Sequence, residues 1–157
     1  MSYQVHDATL EDGPDLIALL PRLGAFPRPE HRAHDQIHES DARVIRRWLE
    51  GGEPDCAIHV ARDDDTARTL LGFAVVRMQP DVLNGDPSAH LEALAVAERA
   101  EGQGVGSALI ASAERAAAKA GAKSMSLHVF ETNARAISLY ERKGYTAEWL
   151  RYIKPLA

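Results

Sequence analysis

The chain has 157 residues, 45% of them hydrophobic and 26% charged, with 18 Lys+Arg against 23 Asp+Glu for a formal charge of −5. That length buries one core but not two comfortable ones, so a single domain over residues 1–157 is expected. The acidic balance argues against nucleic acid as a partner, which calls for a basic face. The longest apolar run, LLGFAVV, is too short to cross a bilayer, and the N-terminal stretch carries no apolar leader, so a cytoplasmic protein with no membrane partner is expected. A single cysteine, Cys56, cannot form an internal disulfide. Its setting, DCAIHVA, reads as a buried strand thiol rather than a nucleophile.

In chain order, YQVHDAT alternates like a strand, and Thr9 is placed to cap an amphipathic helix over LEDGPDLIALL. Three prolines and a glycine make 21–30 a loop. Ile37, Val44, Ile45, Trp48 and Leu49 then fall at helical spacing before a Gly-Gly stop. DCAIHVAR and TLLGFAVVRMQ predict an antiparallel hairpin around the polar turn DDDTA. HLEALAVA is a further strand, and a glycine-rich loop opens a long helix ending at Gly121. KSMSLHVFE predicts a strand, NARAISLYERKG a helix and YTAEWLRYIKP a last strand. The order βααβββαβαβ predicts a mixed α/β domain, with a central sheet of about six to seven strands flanked by four helices.

The loop RAEGQGVGS carries glycines at 102, 104 and 106 where a strand turns into a helix. Such loops let a ligand approach the backbone. A phosphate loop of the Gly-Lys-Ser/Thr type needs a lysine, and none is present. A dinucleotide fingerprint needs a third glycine where Ser107 stands, and needs it soon after the strand, whereas AERAE separates Val96 from Gly102. A methyl-donor loop wants an acid where Ala100 stands.

Two spaced patterns, LEALAVAERAEGQGVGSALI and NARAISLYERKGY, resemble the GNAT superfamily of acetyl-CoA-dependent N-acetyltransferases. The first places Gly104 and Gly106 in the Gln/Arg-x-x-Gly-x-Gly/Ala pattern, and the second places Asn133, Ala136, Leu139, Tyr140, Gly144 and Tyr145. The resemblance is strong over about residues 69 to 157, and it implies the GNAT fold with acetyl-CoA as co-substrate. One letter departs: Glu101 stands where the family prefers Gln or Arg. A carboxylate facing a pyrophosphate is unfavourable, so Glu101 is expected to turn outward and contribute only its backbone.

The resemblance assigns the pyrophosphate to the amides of Gly102, Gln103, Gly104, Val105, Gly106 and Ser107, where unpaired N–H groups and the helix dipole favour an anion by ~1–2 kcal/mol. The glycines are expected to remove Cβ atoms that would hold phosphate oxygens away. Leu94, Ala95 and Val96 offer backbone groups to the pantetheine arm, with the Val96 amide or a neighbour aimed at the thioester carbonyl. Asn133 both caps its helix and touches the cofactor.

Glu92 is a carboxylate in a strand whose two faces both read as apolar, Leu94 and Val96 on its own side and Leu91, Ala93 and Ala95 on the other. An amine acceptor with a pKa near ~10 is deprotonated only about once in a thousand at pH 7, a cost of roughly 4 kcal/mol, so a base helps. Burial lifts a carboxyl toward that task. Glu92 is therefore expected as general base; a glutamate paired with a basic residue, with His128 or a water chain as base, stays open. Tyr140, by spacing a core aromatic, is placed by the resemblance to protonate the departing thiolate. The chemistry implied is direct transfer in a ternary complex to a small-molecule or peptide amine. A non-catalytic acyl-CoA-binding module or an interaction domain on the same scaffold are the competing readings.

His31, His34 and His38 share a helical spacing but lack further ligands, so a solvated surface is expected and no metal. Trp149 and Tyr152 on the last strand are expected in the core or at a homodimer interface. The acceptor-selecting region, PRLGAFPRPEHRAHDQ, carries no legible motif.

Overall fold

The computed structural model describes residues 1–66 and 69–157. It contains β1 (Tyr3–Asp7), α1 (Gly13–Leu19), α2 (Glu39–Leu49), β2 (Cys56–Asp63), β3 (Leu70–Pro80), β4 (Pro87–Val96), α3 (Val105–Lys119), β5 (Met125–Leu127) and α4 (Ala134–Arg142). The sheet runs β1-β2-β3-β4-β5, antiparallel except for the parallel β4–β5 pair. All four helices and the βααβββαβα order follow the predicted pattern.

Local chemistry explains these elements. The Thr9 N–H donates to Asp12 Oδ2 at 2.7 Å, closing a single 3₁₀ turn ahead of α1. Asp63 holds the predicted β2–β3 turn, accepting from the Asp65 N–H and the Thr66 hydroxyl; Ala67, the last letter of DDDTA, lies outside the described residues. The alternating faces of the sheet form two cores. One joins Leu16, Leu20, Val44, Ile45, Ile58, Phe73, Ala93 and Ala95 beneath α1 and α2. The other joins Leu71, Ala74, Leu91, Val105, Leu109 and Ile110 beneath α3. Cys56 is buried in the first, and burial pushes its thiol up to about 11, as a structural thiol requires.

Gly72 brings α3 down onto the sheet. A Cβ there would stand 2.7 Å from the Ala95 carbonyl oxygen and 3.0 Å from Leu109 Cδ1, with backbone that cannot yield. Gly72→Ala is expected to lower unfolding stability by about 2–3 kcal/mol, measured by urea denaturation.

The last predicted strand does not form. Residues 145–157 have no regular structure, and Trp149 and Tyr152 are 60% and 88% exposed rather than in the core. Trp149, Leu150, Tyr152 and Ile153 come in adjacent pairs rather than in alternation, so no single face is apolar, and β5 is only three residues long. KSMSLHVFE correspondingly yields a short strand, leaving five strands among the described residues instead of six to seven.

The histidine face does not form either. His31 and His34 lie in turns, α2 begins only at Glu39, and the described residues hold no cluster able to bind a metal ion.

His59 on β2 is buried, its Nδ1 2.9 Å from Ser112 Oγ and its Nε2 without a partner. Burial holds its pKa below 6.5. The unfolded chain therefore binds this proton more readily, so His59 contributes stability that is intact above pH 6.5 and declines as pH falls below it. His59→Gln is expected to flatten the loss of unfolding free energy between pH 7 and 5.

Candidate active site

The opening that forms the site follows from strand pairing. β5 pairs with β4 only at Ala89, His90 and Leu91, so beyond Leu91 that edge of β4 has no neighbouring strand. Val96 stands opposite Gly72, and the Ala97 N–H bonds the Leu71 carbonyl. In an antiparallel ladder this turns the N–H and C=O of Val96, and by alternation those of Leu94, toward the unpaired side. Ala95 is different. Its backbone groups face Phe73 in the ladder, so Leu94 and Val96 are the two residues that present backbone to the opening.

The edge runs into the glycine loop. Gly102 and Gly104 have φ of +74° and +81°, values that disfavour other residues, and Gly104 is the N-cap of α3. The amides of Val105, Gly106 and Ser107 have no intrahelical acceptor. The Gln103 N–H is already given to the Ala100 carbonyl, which removes it from the predicted set of amide donors. Gly106 also differs from expectation. A Cβ there would point inward, 3.2 Å from Leu139 Cδ2 and 3.6 Å from Val96 Cγ2, so this glycine brings α3 against α4 and β4 rather than clearing space for a phosphate.

That packing sets α4 beside the opening. Asn133 caps the helix as predicted, its Oδ1 accepting from the Ala136 N–H. Tyr140 packs at the edge of the α3-side core, at 6.1 Å from the Tyr145 ring in an edge-on contact. Burial pushes its hydroxyl up to about 12, so it carries its proton throughout the neutral range. The strand-free β4 edge, the amide cradle and the Asn133 and Tyr140 side chains are the groups that could hold an acyl-CoA.

On the opposite face, a register shift places Val75 opposite Ala93 and Val76 opposite Leu91, leaving Glu92 as the extra residue. Simple alternation therefore fails. Leu91, Leu94 and Val96 join the α3-side core while Ala93 and Ala95 join the other, and Glu92 turns away from Leu94 and Val96 to meet Arg77. Arg77 Nε donates to Glu92 Oε1 at 2.7 Å and its Nη1 donates to Glu53 Oε2 at 2.9 Å. The alternative of a glutamate paired with a basic residue is thus the observed geometry.

Two further groups surround this pair. His90 Nδ1 lies 2.8 Å from Ser126 Oγ, and its ring meets that of exposed His128 in a tilted contact, with centroids 4.7 Å apart. Burial first, and His128 second, lower the His90 pKa. Asp41, in the first turn of α2, is half-buried and makes no hydrogen bond or ion pair with the described residues. Burial first and the Glu92 charge second push its carboxyl up to about 7. Sequence patterning missed Asp41 because a first-turn acid reads as ordinary helix-dipole matching.

Glu101 corrects another expectation. Its carboxylate is not turned outward: Arg22 Nη2 holds Oε1, and Arg135 Nη1 holds Oε2 at 2.5 Å. Arg135 first and Arg22 second keep its carboxyl below the usual carboxylate range. Arg22 was illegible because it sits in a proline-broken loop without periodicity.

A mycothiol acetyltransferase of Propionibacterium freudenreichii is 28% identical over 152 residues, covering 91% of this chain and 46% of that protein. The chain thus spans about half the length of this curated relative. Among solved structures, a Pyrococcus furiosus protein described as an acetyl transferase is 26% identical, with a TM-score of 0.73 over 99% of this chain and 100% of that one. The aminoglycoside antibiotic 6'-N-acetyltransferase AAC(6')-Ih of Acinetobacter baumannii shares the fold at 16% identity, with a TM-score of 0.73 over 99% of each chain. No helix among the described residues is long and apolar enough to cross a membrane. A profile of the Acetyltransferase (GNAT) family matches residues 20–145, four-fifths of the chain, and the protein belongs to that family.

Proposed function

We propose that this protein is an N-acetyltransferase that passes an acetyl group from acetyl-CoA directly to a primary amine. The observation that carries the reading is the continuity of the strand-free Leu94–Val96 edge of β4 with the amide cradle at Gly104 to Ser107, beside a protonated tyrosine. Acetyl-CoA supplies the activated acetyl group. Leu94 and Val96 hold its pantetheine arm, the Val96 N–H faces the carbonyl on which negative charge develops, and Asn133 lies alongside.

The acceptor enters from the α2 face as an ammonium ion. Glu92, oriented by Arg77, attracts the cation, and Glu92 with Asp41 forms the basic pair that takes its proton. The Asp41 carboxyl, raised to about 7, is matched to proton transfer at neutral pH. Tyr140 is the proton donor on the leaving side. Cys56, buried with its thiol raised to about 11, takes no part.

A thiol-release assay with acetyl-CoA and a panel of small amines, amino acids and peptides tests the reading. Amine-dependent release is expected for at least one class. Saturable acetyl-CoA binding with no release for any amine would instead favour the non-catalytic binding module.

A further inference from the structure

We propose that Arg22 and Arg135 are ligands for the phosphates of coenzyme A, and that Glu101 occupies their place in the free protein as a built-in anion. This inference rests on the acyl-CoA reading of the site. Three observations converge on it. Both oxygens of Glu101 are engaged by guanidinium groups, Arg22 from the turn after α1 and Arg135 from the first turn of α4. The carboxylate stands just before the amide cradle of Gly104 to Ser107, the anion site of the proposed reading. Finally, Arg22 Nε donates to the Val96 carbonyl at 2.9 Å, occupying the acceptor that the β4 edge would offer to an incoming chain.

A guanidinium fork matches a carboxylate and a phosphate through the same paired N–H groups, so one can replace the other without rebuilding the site. With Glu101 in place, two cations face a single carboxylate, and one positive charge remains unmatched at the cradle's rim. A phosphate arriving there gains both guanidiniums and repels Glu101. Arg135 is 64% exposed and Arg22 only 25%, so Arg135 is free to follow the ligand while Arg22 moves least. Turning Arg22 toward the phosphate withdraws its Nε from Val96. The phosphate end of the ligand then uncovers the backbone carbonyl needed at the pantetheine end. Glu101 is therefore a specificity element: a thioester without phosphates has nothing to exchange for the Arg22–Val96 contact.

Calorimetric titration of the wild type, Glu101→Gln and Arg135→Gln with coenzyme A, inorganic pyrophosphate and phosphate-free pantetheine tests the exchange. Glu101→Gln is expected to bind coenzyme A and pyrophosphate about fivefold more tightly and Arg135→Gln about fivefold more weakly, with both differences shrinking at ~1 M salt. Pantetheine should bind all three alike. Wild-type affinity for coenzyme A with an unchanged or weakened Glu101→Gln overturns the exchange alone. Absence of coenzyme A binding to the wild type overturns the acyl-CoA reading and the exchange with it. Matching far-ultraviolet spectra of the three proteins confirm that folding is not the cause.

Discussion

Tyr140→Phe is expected to bind acetyl-CoA within about twofold of the wild type while kcat falls by roughly two to four orders of magnitude. The substitution removes one oxygen and keeps the ring, so the contacts with Tyr145 and the α3-side core persist and the opening keeps its shape. What is lost is a proton held near the thiolate by a group whose pKa, raised to about 12 by burial, keeps it fully protonated at neutral pH. The leaving group would then depart as an anion. Single-turnover kinetics with isothermal binding separates the two effects. A fall in affinity with kcat retained would make Tyr140 a packing residue.

Asp41→Asn is expected to lower kcat/KM at neutral pH by about a hundredfold and, unusually for such a loss, to raise stability. The sign follows from linkage. A carboxyl at about 7 in the folded chain against 3.8 unfolded is bound to its proton more readily when folded, so its contribution to stability falls as pH rises from 3.8 and is lowest above 7. Removing the charge relieves the cost of a half-buried unpaired carboxylate, about 1 kcal/mol at pH 8. Glu92→Gln should also lower activity but should not stabilise, because it leaves Arg77 with only Glu53. The wild-type pH–rate profile should show an acidic limb near 7, where Asp41 titrates, lost in Asp41→Asn and moved to lower pH in Glu92→Gln, which removes a charge that raises Asp41. An Asp41→Asn variant with unchanged rate and profile would leave Glu92 to act without it.

The parts of this site legible in the sequence are those that local chemistry dictates. Asn133 is an N-cap wherever a helix starts after it, Gly104 meets a positive φ at the mouth of α3, and the β2–β3 hairpin follows from two apolar runs around an aspartate-rich turn. The illegible parts depend on register and on contacts between distant segments. The bulge at Glu92 inserts one residue and reverses the facing of its neighbours, which strict alternation cannot reveal. Arg77 meets Glu92 across two strands, and Arg22 meets Glu101 across 79 residues. Neither pairing leaves a spacing signal. The final strand failed for the converse reason, since YTAEWLRYIKP has strand-forming residues but lacks a single apolar face and finds only three residues of β5 on which to build.

The division of labour in the opening is clear in physical terms. In the proposed reaction one edge of β4 supplies backbone for the cofactor arm and the other face carboxylates for the cation, with the bulge between them inside the five residues from Glu92 to Val96. The central claim, that acyl-CoA lies along the free β4 edge, is tested most directly by amide hydrogen exchange with and without acetyl-CoA. Slowed exchange is predicted at Leu94, Val96 and the amides of Gly104 to Ser107, with Ala95 unchanged because its N–H already lies in the β3 ladder. Binding of acetyl-CoA without protection at Leu94 and Val96 would contradict the account.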